Sequence, residues 1–361
     1  MPYISKAKRI KLLCKNTNKE IISEDLRQDD HTLLFKNART LSPSNNFSYR
    51  APKRRLSQTT AHKGCINRIS WNPCYQNHLL SASMDSLLKI WNTESAVVTC
   101  IKLVHCHSLA IKDARWCLDG MKILSASYDK SSKITDVNNE KEVCSHNHAS
   151  FVTCVVCHPF DPNMYLSGTS NHGIYSWDVR MQQYTCRYQS FFGQIQDLVF
   201  IPDGKSFISA AEVSRRNSTD KGIMVWDYKT STVLSNQIYQ EPYTCTTLKI
   251  HPRDATFLAQ SNAGYIALFS QKSPYKLNHY KRFEGHNVSG YHIGMDISPD
   301  GSLVASGSSN GFLYVYNYST TKISNTFELS NSQPCMDVAW SLSSPSLLAS
   351  CDWSGQIYFH R

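Results

Sequence analysis

The sequence predicts an all-β protein, a seven-bladed β-propeller, on three observations. Short apolar runs recur in groups along most of the 361 residues. The third run of each group closes on a bulky or structural residue: Trp91, Thr135 (where Trp is expected), Trp177, Trp226, Phe269, Tyr316 and His360, spaced 44, 42, 49, 43, 47 and 44 apart. Six positions before each stands a short residue: Asp85, Asp129, Asn171, Asp220, Ala263, Asn310 and Ser354. A period of about 40–45 residues made of short β runs is the signature of propeller blades.

In chain order, residues 1–52 show little periodicity and are expected to form a basic, flexible tail, too poor in apolar residues to offset the entropy of ordering. Of the net charge of +10, residues 1–55 hold 13 Lys/Arg against 5 Asp/Glu, a net +8, and leave +2 for the other 306 residues. The cluster Lys53, Arg54 and Arg55 reads as an import signal or a solvated edge. Residues 53–361 are expected to form the propeller. Its last unit ends on a third strand, so residues 54–60 are expected to pair with the C-terminal strand and close the ring, since an open blade would leave an unpaired edge.

The first unit, His62 to Trp91, keeps every position of the frame: a histidine, an alternating run, Ser81-Ala82-Ser83-Met84-Asp85, and Trp91. His62, Ser81 or Ser83, Asp85 and Trp91 together predict an internal hydrogen-bond chain. Other units keep part of it, with His107 and Asp129, Trp177, Asp220 and Trp226, or His286. The short residue of the frame is expected to accept left-handed backbone geometry. Asp119-Gly120, Asp203-Gly204 and Asp300-Gly301 predict tight turns with positive φ between first and second strands. A catalytic His–Asp–Ser reading loses to a structural one because a triad needs one accessible nucleophile, not a periodic set.

The segments Leu79–Asp85, Arg282–Tyr291, Phe257–Gln260 and Ala267–Ser270 resemble the WD40-repeat family, and the likeness runs over roughly residues 58–361. The resemblance implies a non-catalytic scaffold for protein partners, those of a ribonucleoprotein complex among the candidates, and a nuclear location, with a cytoplasmic one as the alternative. Within the family the same segments resemble a branch that includes a pre-mRNA splicing component, which implies the alternative role. The longer loop after Ala211 and the run Leu234–Ile238 set this chain apart from that splicing component.

Binding residues are expected on loops held by a rigid scaffold. The second-to-third-strand loops offer Met84, Tyr128, Trp353 and the inserted Arg215 and Arg216; the starts of the first strands offer Lys112, Tyr291 and Met336. Arg215-Arg216-Asn217-Ser218 also resembles a basophilic kinase site. No phosphate-cradling glycine loop, His-Glu-x-x-His or Gly-x-Ser-x-Gly occurs, so no enzyme, cofactor or metal is expected. Thirteen scattered cysteines read as buried thiols, and Cys154-x-x-Cys157 falls within one strand, where positions three apart face opposite ways. The opening residues lack the apolar core of a signal peptide and no run is long enough to span a bilayer, which predicts an intracellular chain without membrane contact. RNA is expected only indirectly or through the basic tail, and the propeller is expected to be a monomer.

Overall fold

The computed structural model describes residues 48–361 apart from 96, 172, 190–192, 214–221, 237, 240 and 330–332. Within them, 28 strands form seven four-stranded antiparallel sheets and no helix. The first strands of the blades, in chain order, are Ile66–Trp71, Ile111–Trp116, Val152–Cys157, Ile195–Phe200, Cys245–Ile250, Met295–Ile297 and Cys335–Trp340. Each lies against the first strand of the next blade, and that of blade seven lies against that of blade one. The sheets are therefore wound into a closed ring with the first strands innermost.

Burial follows position in the blade. The inner strand Cys335–Trp340 and the second strand His78–Ser83 are buried throughout, whereas the outer strand Thr99–Val104 is largely exposed. Strands covered on both faces lose the strict apolar–polar alternation of a one-sided sheet. The cores sit between blades: Trp71, Phe359, Met336 and Ala339 pack with Ile66 and Leu79, and Phe207, Trp226 and Tyr188 pack with Cys154 and Ile195. Burying a side chain such as Phe207 or Phe257 contributes roughly 1.5–3 kcal/mol. The inner indoles also tie blades together, Trp71 Nε1 donating to Ala339 O at 3.0 Å and Trp116 Nε1 to Ser70 O at 3.1 Å.

Blade seven takes its outer strand from the other end of the chain. Arg55–Thr60 pairs antiparallel with Gln356–His360, with Ser57 opposite Phe359 and Thr60 opposite Gln356. Ahead of it, Tyr49 is buried against Trp340, donates its hydroxyl to Ser341 O at 2.8 Å and its amide to Asp300 Oδ2 at 2.8 Å. The lead-in thus clips blade six to blade seven.

The three Asp–Gly turns have φ of +66° at Gly120, +66° at Gly204 and +75° at Gly301. Left-handed geometry in the second-to-third turns differs from the sequence expectation. It falls one residue after the short polar position, at Ser86 (φ 68°) and Lys130 (φ 66°), because Asp85 and Asp129 use their carboxylates to accept the amides of Leu87 and Ser131 and so build the turn around the residue between. Cys154 and Cys157 do face opposite neighbours: Cys154 packs toward Ile195 of blade four, and Cys157 Sγ lies 3.8 Å from Cys117 Sγ of blade two.

Candidate functional site

Two kinds of segment meet at one end of the ring, the starts of the inner strands and the second-to-third turns. Backbone bonds join them blade by blade: Met84 N to Cys65 O at 2.8 Å, Tyr128 N to Ala110 O at 3.0 Å, Ser170 N to Phe151 O at 3.0 Å, and Trp353 N to Pro334 O at 3.0 Å. This end is the rim on which the sequence placed its candidates.

Beneath it lies the polar frame. In blade one, His62 Nδ1 sits 2.9 Å from Asp85 Oδ2, His62 Nε2 sits 2.8 Å from Ser81 Oγ, and Trp91 Nε1 donates to the same Oγ at 2.9 Å. Ser81 rather than Ser83 holds the centre; Ser83 Oγ accepts the Asp85 amide. Blade two repeats the arrangement with His107, Asp129 and Ser125, and Thr135 stands buried in place of the indole. Trp177 and Trp226 donate to Ser167 and Ser209 in blades three and four. In blade seven His360 takes the indole's place, its Nε2 3.0 Å from Ser350 Oγ. His286 bonds Tyr316 OH instead of a serine. Burial pulls the pKa of His62 and of His107 below the ordinary histidine value despite their aspartates. Every polar atom of the blade-one set is spent on its neighbours, which fits a bracing role.

Several exposed side chains of the rim are apolar or aromatic, beside polar ones such as Lys63, Ser108 and Lys130. Tyr291 of blade six and Trp353 of blade seven form an edge-to-face pair, centroids 5.6 Å apart, and remain 37% and 41% exposed. Met84 is 43% exposed beside them in ring order. Tyr128 is half-buried on Phe151, centroids 5.4 Å apart. Two residues that the sequence did not single out join this set, Leu109 at 53% and Phe151 at 38% exposure. Their signal was their place, within the few residues ahead of an inner strand, as Tyr291 is. Met336 is a correction: it is 3% exposed and packs with Val288 and Ile293 between blades six and seven, so it is core and not rim. Arg215, Arg216, Ser218 and Asp220 lie outside the described residues. Lys53 and Arg54 have exposed side chains, while their amides bond Arg361 O and Arg55 donates to Leu329 O at 3.0 Å.

Inside the ring the inner strands carry a charge network. Arg68 Nε lies 3.3 Å from Asp113 Oδ1 and 3.9 Å from Asp337 Oδ2; Arg115 bonds Asp113 at 3.3 Å and Asp197 at 2.6 Å; Lys249 pairs with Asp296 at 3.0 Å. The same carboxylates accept amides of a following blade, Asp113 from Val155, Asp197 from Leu248, Asp296 from Trp340 and Asp337 from Ile69. Lys112, on the inner strand of blade two, stands half-buried near the rim and joins none of these bonds.

Comparison with known proteins adds the family. The "WD domain, G-beta repeat" family matches residues 53–92, 98–136 and 277–317. WD repeat-containing protein 25 of Mus musculus is 36% identical over 322 residues, covering 88% of this chain and 60% of the relative. Pre-mRNA-processing factor 17 is 26% identical in Homo sapiens over 85% of this chain and 52% of the relative, and 27% identical in Saccharomyces cerevisiae over 87% and 68%. The chain thus spans little more than half the length of the first relatives it matches.

Proposed function

Since the chain is a seven-bladed WD40 propeller, we propose that it is a non-catalytic scaffold that binds protein partners through the rim bearing Tyr291 and Trp353. The observation that carries this is the run of exposed Tyr291, Trp353, Met84, Leu109 and Phe151 along one end of a rigid ring. Aromatic anchors on a preformed surface are the side chains that dominate protein interfaces. The polar groups that resemble a triad are consumed inside the blades, which leaves the loops as the place for recognition. The partners are other proteins, the ring acts as a monomer, and the nucleus is the proposed location.

A second reading, membership of the pre-mRNA splicing machinery, is favoured by the two relatives named pre-mRNA-processing factor 17. RNA would then be met indirectly or through the basic residues 1–55, whose binding would weaken steeply with salt.

Co-purification with the tagged chain separates these readings. The variant Tyr291→Ala/Trp353→Ala should lose its partners, with affinity down roughly tenfold or more, while keeping its melting temperature. Retention of every partner by that variant overturns the rim reading. Recovery of small nuclear RNA and spliceosomal proteins supports the splicing role, and recovery of other assemblies alone removes it.

A further inference from the structure

We infer that the rim's partner presents an acidic residue, which enters the mouth of the central channel to pair with Lys112, next to an apolar residue that seats on Tyr291 and Trp353. The inference rests on the rim reading above and gives the chemistry of the partner.

Four permanent cations stand on the inner strands, and three are matched. Arg68 and Arg115 share Asp113 and reach Asp337 and Asp197, and Lys249 holds Asp296. The Lys112 ammonium has neither an ion pair nor a hydrogen bond among the described residues. Its ammonium lies within electrostatic range of Cys65 and Arg68 of blade one, Asp113 of its own blade, Cys154 of blade three and His292 of blade six. Groups from so many blades converge only near the ring axis. Asp113, the one carboxylate among them, already serves Arg68, Arg115 and the Val155 amide. Burial pulls the Lys112 pKa below the ordinary lysine value, as a charge without a counter-ion should behave.

A cation taken partly out of water without a partner weakens the fold, and such a liability is kept where a ligand repays it. The surroundings select among anions. Cys65, beside Lys112, carries on its carbonyl the amide of Met84, and His292 follows Tyr291 directly. Lys112 thus stands at the same end of the ring as Met84 and the Tyr291–Trp353 pair. One ammonium fits one carboxylate. A phosphate backbone needs several cations in a row, and the other inner-strand cations, Arg68, Arg115 and Lys249, are already paired. A short peptide bearing Asp or Glu beside a large apolar residue matches both halves of the site.

The test is selection from a phage library of random linear peptides on the full chain, on Lys112→Met, Lys112→Glu and Trp353→Ala. Wild type should enrich Asp or Glu close to an aromatic or aliphatic residue. A synthetic peptide so recovered should bind Lys112→Met about tenfold or more weakly. Replacing its acid by the amide should cost as much on wild type and nothing further on Lys112→Met, and Lys112→Glu should enrich Lys or Arg. Lys112→Met should melt at or above the wild-type temperature. Peptides without an acid, equal binding to Lys112→Met, no enrichment at all, or a drop in its melting temperature would each overturn the inference. So would tighter, Lys112-dependent binding of oligouridylate. Peptides lost by Trp353→Ala and kept by Lys112→Met sink this inference and leave the rim reading standing, whereas retention by both variants sinks both.

Discussion

His148, His286, His292 and His360 are held in the neutral form by the fold. Burial is the largest cause in each and pushes their pKa values down to about 3, 4, 3 and 3. In the unfolded chain each takes a proton near pH 6.5. A depressed folded pKa contributes stability that is fully present above pH 6.5 and is lost as the pH falls toward the folded values of about 3 to about 4. The melting temperature should thus be level near pH 7.5 and drop between pH 6.5 and 5, each histidine withdrawing up to roughly 2 kcal/mol at pH 5. His360→Gln, which keeps a polar reach to Ser350 Oγ, should flatten that slope in a pH series of melts; an unchanged slope refutes the assignment. At this scale much was legible. The repeating His, Asp and Trp positions announced the frame, because side chains that recur once per blade face the same demand in each. What the sequence could not say was that Met336 is core, since a methionine at the start of a strand has the same pattern whether it turns to solvent or between blades.

At the scale of the strand, four of the seven junctions between blades are bolted by an inner-strand carboxylate that accepts a backbone amide across the gap. Blade six shows how closely the parts are fitted. A Cβ built on Gly294 would fall 1.8 Å from Asp337 Oδ1, so glycine is required there to admit the carboxylate that Arg68 and the Ile69 amide hold. Gly294→Ala should destabilise by roughly 2–4 kcal/mol, as overpacking next to a buried charge does. In Asp337→Ala, where the clash is gone, the same change should cost far less, and chemical denaturation of the four chains measures the coupling. Additive losses would refute the contact. These bolts were not read from the sequence. Asp113, Asp197 and Asp337 sit among apolar residues at alternate positions, where the pattern suggests an exposed face; only the ring, by bringing a neighbouring strand's amide opposite, makes them interior. Phe151 escaped for a related reason, since it reads as the first residue of a strand and stands just ahead of it.

The molecule as a whole depends on its ends. The strand Arg55–Thr60 completes blade seven on Gln356–His360, and Tyr49 anchors its approach between Asp300, Trp340 and Ser341. Without them blade seven would show a bare edge and the ring would have no clasp. Removing residues 48–60 should lower the melting temperature by about 10 °C or more, or prevent folding, and differential scanning calorimetry decides it; an unchanged melt would show that the ring holds without a clasp. The seven-unit plan was legible because the period survives even where individual residues do not.

The path of that lead-in also gives the ring two distinct sides. Tyr49 is fastened to Ser341 and Asp300, which belong to turns between first and second strands, at the end away from Tyr291 and Trp353. A six-residue strand rises about 20 Å, so the chain joins the disc on one side, and whatever seats at Trp353 rests on the other. The ring is a partition as well as a platform. A partner bound at the proposed rim would not crowd the point where the chain arrives.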